Sequence, residues 1–207
     1  MRKHLKREGE EINKVLFFPV LKLPVESSRY LKRSENRLKT SFSELYAAIS
    51  VCKKSLDMCL FLFTLADMAS LAIRLMQEGV RVRVIVDHNN VGLAGCQVPR
   101  LCEAGVRVLS RKQSGCGYMH HKFALVDSRV VITGSFNWTR QPIYNNNDNV
   151  IISSNKKLVE PSVTRIYSNI RIIATEYYIF VFCEIFPQMY SYLYTLPTRH
   201  PNLLRSA

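Results

Sequence analysis

Five polar side chains stand at fixed intervals in an otherwise apolar part of the chain: His120, Lys122, Asp127, Ser135 and Asn137. A neutral imidazole is a nucleophile, an ammonium neutralises phosphate oxygens, and hydroxyl and amide groups donate hydrogen bonds as negative charge builds. That is the equipment for displacement at a phosphodiester. In such a scheme His120 can attack phosphorus while Lys122, Ser135 and Asn137 hold the non-bridging oxygens, so that one hard displacement becomes two easier ones. No carboxylate cluster of the two-metal kind stands with these residues, so the scheme needs neither metal nor other cofactor.

Positioning such groups requires a hairpin. Residues 119–127 and 130–133 are apolar runs on either side of Ser128-Arg129, which reads as two strands and a tight turn. Side chains at i and i+2 share a strand face, so His120 and Lys122 point one way and His121 and Phe123 the other. His121 is therefore read as structural. Ser135 and Asn137 share a face by the same rule if the chain stays extended past Gly134. Trp138, the only tryptophan, is read as a core anchor, and residues 145–147 as a polar loop.

Upstream, residues 15–18 read as an edge strand ended by Pro19, and Leu38, Phe42, Leu45 and Ile49 as one face of a helix reaching about residue 52. Residues 55–63 form a strand pattern, 68–78 a helix stopped by Gly79, and 80–86 a strand ending at Asp87. Residues 97–104 form a helix stopped by Gly105, and 106–109 a strand. This β-α-β-α-β rhythm implies an α/β sheet with helices packed on its faces. There is no internal repeat.

The chain has 207 residues, 47% hydrophobic and 22% charged, which fits one globular domain and excludes a disordered chain. Its formal net charge of +13 favours polyanions, whether nucleic acid or an anionic membrane surface. The six cysteines have no C-x-x-C spacing, which argues against a structural zinc site or a disulfide framework. Residues 1–14 read as a basic arm with no membrane span. The aromatic-rich tract after residue 170 is too interrupted by charge and proline to cross a bilayer.

The pattern His120-x-Lys122-x4-Asp127-x6-Gly134-Ser135-x-Asn137 resembles the signature of the phospholipase D superfamily. The wider stretch GYMHHKFALVDSRVVITGSFNWT, with NKVLFFP, SLDMCLFLF and GVRVRVIVD upstream, is similar to its mitochondrial cardiolipin hydrolase branch, whose insect members are called Zucchini. The resemblance implies a mixed β-sheet flanked by helices on both faces, with one motif per chain. The catalytic set it implies is His120, Lys122, Asp127 and Asn137, with Asp127 holding geometry and Asp148 orienting the histidine. It implies a homodimer, since a second histidine must protonate the leaving oxygen and a two-fold axis supplies one. It further implies either endonucleolytic cleavage of single-stranded RNA in piRNA biogenesis, with single-stranded DNA also open to attack, or hydrolysis of cardiolipin to phosphatidic acid. A catalytically silent scaffold is the remaining reading.

Arg81, Arg83, Arg107, Arg111 and Lys112 are expected to line a groove for a phosphate strand, which favours RNA. The resemblance implies the mitochondrial outer membrane, facing the cytosol. The absence of an N-terminal anchor from these residues points instead to the cytoplasm. Residues 20–40 lack cysteine and histidine, so the branch's zinc-binding insertion is not expected. On this reading residues 15–161 are the catalytic domain, and 162–207 an atypical segment unlike the amphipathic helix that closes the family's sheet.

Overall fold

The structure, a computed structural model, describes residues 11–19, 40–111 and 117–175. In chain order its elements are β1 (Asn13–Phe17), α1 (Ser41–Ser50), β2 (Ser55–Leu60), α2 (Ala66–Gln77) and β3 (Arg81–Asp87). There follow α3 (Val98–Glu103), β4 (Arg107–Arg111), β5 (Lys122–Val126), β6 (Val130–Gly134), α4 (Arg140–Tyr144), β7 (Asn149–Ser153) and α5 (Lys156–Thr175). Among the described residues the seven strands make one sheet in the order β1-β7-β6-β5-β2-β3-β4.

Strands β2, β3 and β4 run parallel and are joined by α2 and α3, because parallel neighbours need a crossover. Each crossover helix ends before a glycine in the left-handed region, Gly79 (φ +89) and Gly105 (φ +86), as the sequence reading expected. The other pairings are antiparallel. All six residues of β2 are buried, which explains why SLDMCL shows no polar alternation: the strand is covered on both faces. On one face Leu56, Met58, Val82 and Val84 pack with Leu45 and Ile49 of α1, Leu71 and Leu75 of α2, and Leu101 of α3. On the other, Cys59, Ile85, Leu125 and Val131 lie under Val159 and Ile166 of α5. The expected sheet with helices on both faces is the observed one.

Helix α1 begins at Thr40, whose hydroxyl accepts the Ser43 N–H while Ser43 Oγ accepts the Thr40 N–H. Strand β5 starts at Lys122 rather than at 119, and β2 stops at Leu60 rather than running to 63. The turn between β5 and β6 is centred one residue earlier than expected. Asp127 and Ser128 carry the positive φ values (54 and 52), and the Arg129 N–H closes onto the Val126 carbonyl at 3.0 Å.

The boundary expected at 161/162 falls inside α5. Pro161 forfeits one backbone N–H, yet Val159, Val163, Ile166 and Ile170, spaced by four, three and four, keep a single apolar stripe on the sheet. The first part of the segment expected to be atypical, as far as Thr175, is thus an amphipathic helix packed on the sheet. Asn13 and Lys14, expected in the basic arm, belong to β1. The rest of the arm up to residue 10, residues 20–39 and the tract 176–207 lie outside the described residues.

Candidate active site

Strand register gathers the polar residues at one edge of the sheet. Leu60 at the end of β2 pairs with Lys122 at the start of β5, and Gly134 at the end of β6 pairs with Val150 near the start of β7. The carboxyl ends of the parallel strands, where α/β folds place ligands, open onto the same edge.

His120 lies just before β5, in chain held from both sides. The Met119 N–H donates to a carboxylate oxygen of Asp87 at 2.8 Å, and the His121 carbonyl accepts the Phe61 N–H at 2.7 Å. Lys122 Nζ stands 3.2 Å from each ring nitrogen of His120 and donates to the His120 carbonyl at 3.3 Å. The ring of Phe61 packs on the imidazole, with centroids 4.4 Å apart, and lies 5.2 Å from Lys122 Nζ. Tyr118 meets Phe61 edge-on at 5.9 Å and is exposed. Partial burial pushes the Lys122 ammonium below the ordinary lysine range, and the Asp148 carboxylate works against that shift.

Ser135 Oγ donates to Asp148 at 2.6 Å and accepts the Asn149 N–H at 3.1 Å, which ties the end of β6 to the start of β7. The approach is so close that a Cβ on Gly134 would lie 2.0 Å from the Asn149 carbonyl oxygen, so no side chain fits there. Asn137 sits between the buried Phe136 and Trp138, and its Oδ1 is buried without a hydrogen-bond partner.

His120 and Lys122 thus meet as expected, with Asp148 near enough to act on the lysine and Ser135 bonded to Asp148. Several expectations are corrected. The chain bends at Ser135, so Ser135 and Asn137 do not share a strand face. Asp148 receives the Ser135 hydroxyl, and both His120 ring nitrogens face Lys122, so the histidine-orienting bond expected of Asp148 is not made.

Asp127 stands at the opposite end of β5, roughly 20 Å along the chain direction from His120 by strand rise. Its carboxylate accepts the N–H groups of Lys53 (3.1 Å), Lys54 (2.6 Å) and Ser55 (3.0 Å) and the Cys52 thiol (3.3 Å). It therefore holds the loop leading into β2 and does not join the groups around His120. Burial alone would raise its pKa, but these hydrogen bonds outweigh burial and hold it below the usual carboxylate value.

The basic strip is corrected as well. Arg83 is 8% exposed and pairs with Asp57 through Nη2 at 2.9 Å and Nε at 2.5 Å, under the Tyr167 ring of α5. Arg81 and Arg107 open β3 and β4 at the sheet edge away from His120. Arg111 ends β4 on the His120 side; Lys112 lies outside the described residues.

His121 packs edge-on against Phe123, and burial followed by the nearby Arg165 charge lowers its pKa, in keeping with a structural role. Trp138 is 3% exposed and packs against Phe63, as a core anchor. Phe61 and Asp87 were not foreseen at the site. Phe61 is hidden in an apolar run, whereas an acid closing the strand VRVRVIVD at its carboxyl end was a usable signal. Among the described residues no group of three or more His, Cys, Asp or Glu side chains is arranged to hold a metal ion.

A histidine and lysine at the mouth of a mixed sheet of this topology define a phospholipase D-like domain, and residues 45–168 match the family described as "Cardiolipin synthase, PLD-like domain", to which the chain belongs. Curated relatives are called mitochondrial cardiolipin hydrolase. The Xenopus tropicalis protein is 38% identical over 158 residues, 74% of each chain. The human protein is 45% identical over 120 residues, 58% of this chain and 47% of its own. The chain thus spans about half the length of the human relative. Among solved structures, the phospholipase D family member Nuc from Salmonella typhimurium shares the fold, with a TM-score of 0.61 and 24% identity over 77% of this chain and 93% of that one.

Proposed function

We propose that the chain is a phosphodiester hydrolase working through a phosphohistidine on His120, with cardiolipin as its substrate. The observation that carries this reading is the Lys122 ammonium 3.2 Å from both His120 ring nitrogens, a nucleophile and a phosphate-binding cation at one point. A His120 nitrogen attacks phosphorus and the bond to the leaving glycerol oxygen breaks. Lys122 and Asn137, with Ser135 beside them, hold the non-bridging oxygens as charge rises. The leaving alkoxide takes a proton from His120 of a second copy. That imidazole then removes a proton from water as the water attacks the phosphohistidine, releasing phosphatidic acid and restoring both rings. Because each chain carries one motif, the working unit is a two-fold homodimer.

Cardiolipin is preferred over single-stranded RNA because relatives carry that name, and because Arg81, Arg83 and Arg107 do not form the strip expected to guide a strand past His120. The RNA reading, with single-stranded DNA beside it, keeps one support: a net charge of +13. Relatives carry the word mitochondrial in their names, which supports assigning the activity to the mitochondrion, on the outer membrane facing the cytosol. Among the described residues no helix is long and apolar enough to cross a membrane.

The test sets cardiolipin vesicles beside single-stranded RNA, with the wild-type chain and His120→Asn. Phosphatidic acid release and a trapped phosphohistidine, both lost in the variant, are expected. Equal activity in His120→Asn would overturn the mechanism, and RNA cleavage without lipid hydrolysis would overturn the substrate.

A further inference from the structure

Asp87 is 1% exposed, and the chemistry above makes no use of it. One carboxylate oxygen accepts the N–H of Asn89, two residues on, and starts the short 3-10 turn His88–Asn90 at 3.0 Å. The other accepts the N–H of Met119, thirty-two positions away, at 2.8 Å. A local cap needs only one of these oxygens. The second reaches the residue immediately before His120.

Met119 is pinned in a further way. Its side chain is buried, with Sδ 3.4 Å from Cys59 Sγ in the core beneath α5. On the far side of His120 the next carbonyl is held by Phe61. His120 itself precedes the regular ladder of β5, so these flanking bonds set where its backbone lies. In-line attack on phosphorus tolerates little error, since a misplacement of about 1 Å costs on the order of 100-fold.

We propose that Asp87 is a positioning residue for the reaction. Its carboxylate ties the carboxyl end of β3 to the Met119 amide and thereby fixes the attack position of His120. The inference rests on the phosphohistidine reading above.

Two variants isolate the tether. Asp87→Asn retains a single acceptor oxygen, so serving Asn89 turns an NH2 group toward the Met119 N–H, donor against donor. Asp87→Ser can still cap the 3-10 turn with its hydroxyl but cannot also reach Met119. Both are assayed as the full chain on cardiolipin vesicles, with fold checked by circular dichroism.

In folded protein, kcat and the rate of phosphohistidine formation should fall roughly 10- to 100-fold, with KM within about twofold of wild type. A kcat within twofold of wild type in either folded variant overturns the proposal, as does a loss confined to KM. In wild-type protein the Met119 amide should exchange with deuterium as slowly as the β5 ladder amides. Rapid exchange there overturns the proposal even if neither variant folds. A wild-type chain that forms no phosphohistidine refutes the functional reading, whereas an active wild type with unaffected variants refutes only the role of Asp87.

Discussion

Replacing Asp127 with asparagine separates the third member of the His-Lys-Asp pattern from the chemistry of the first two. The carboxylate accepts three backbone N–H groups at 2.6–3.1 Å from the loop before β2, and none of its partners lies at the His120 edge. Asparagine tolerates the positive φ of 54° at this turn, so the backbone is spared and only the charge and one acceptor oxygen are lost. Bonds to a charged acceptor contribute about 1.5–3 kcal/mol and neutral ones about 0.5–1.5. The part-buried Ser55 N–H and the short Lys54 bond each lose about 1 kcal/mol, and water replaces much of the exposed Lys53 bond. The sum is about 2–3 kcal/mol, or roughly 5–10 °C in melting temperature for a chain of this size.

Urea and thermal melts measure that loss, and phosphodiesterase activity per folded molecule should stay within about threefold of wild type. Because the folded pKa of Asp127 lies below its unfolded value, the stabilisation is full above about pH 4 and fades as pH falls through the folded value. The gap between wild type and variant should therefore narrow in acid. An Asp127→Asn protein that melts like wild type yet is inactive would refute this reasoning and give the carboxylate a direct part in the chemistry.

The proposed mechanism needs Lys122 charged to bind phosphate, and its pKa is depressed chiefly by burial, so activity should be lost on the alkaline side at a pH below the ordinary lysine value. Phe61→Ala opens the ammonium to water and should move that limb upward in a pH–rate profile; an unmoved limb would clear Phe61 of the effect. Gly134→Ala forces a methyl into the Asn149 carbonyl, so β6 and β7 must part and the Ser135–Asp148 bond must break. A stability loss of about 1–3 kcal/mol, read by urea melts, and at least tenfold in kcat are expected. Arg83→Met strands the buried Asp57 carboxylate and should cost about 3–5 kcal/mol by urea melt. Adding Asp57→Leu should recover most of that loss, and a double variant as unstable as the single would contradict it.

The proximity of His120 and Lys122 was legible in the sequence. The alternation around His120 and Lys122 placed both groups together, even though β5 begins only at Lys122. The parallel β2-β3-β4 unit was legible from helices stopped by Gly79 and Gly105, because a positive φ leaves a local mark in residue type. Helix α5 was misread because aromatic and charged residues blur its stripe, and its apolar positions make sense only against the sheet face they cover. Arg83 looked like part of a basic strip because nothing nearby in sequence announces Asp57, twenty-six positions earlier, as its partner.

Residue types and short spacings alone determined the fold class, the hairpin and the pairing of His120 with Lys122, since these depend on local periodicity and chemical type. Tertiary structure alone decided where each carboxylate acts: Asp127 at the far end of β5, Asp148 on Ser135, Asp87 on the amide before His120. Those assignments depend on strand order and register, which bring residues tens of positions apart to one sheet edge or send neighbours in a motif to opposite ends of a strand.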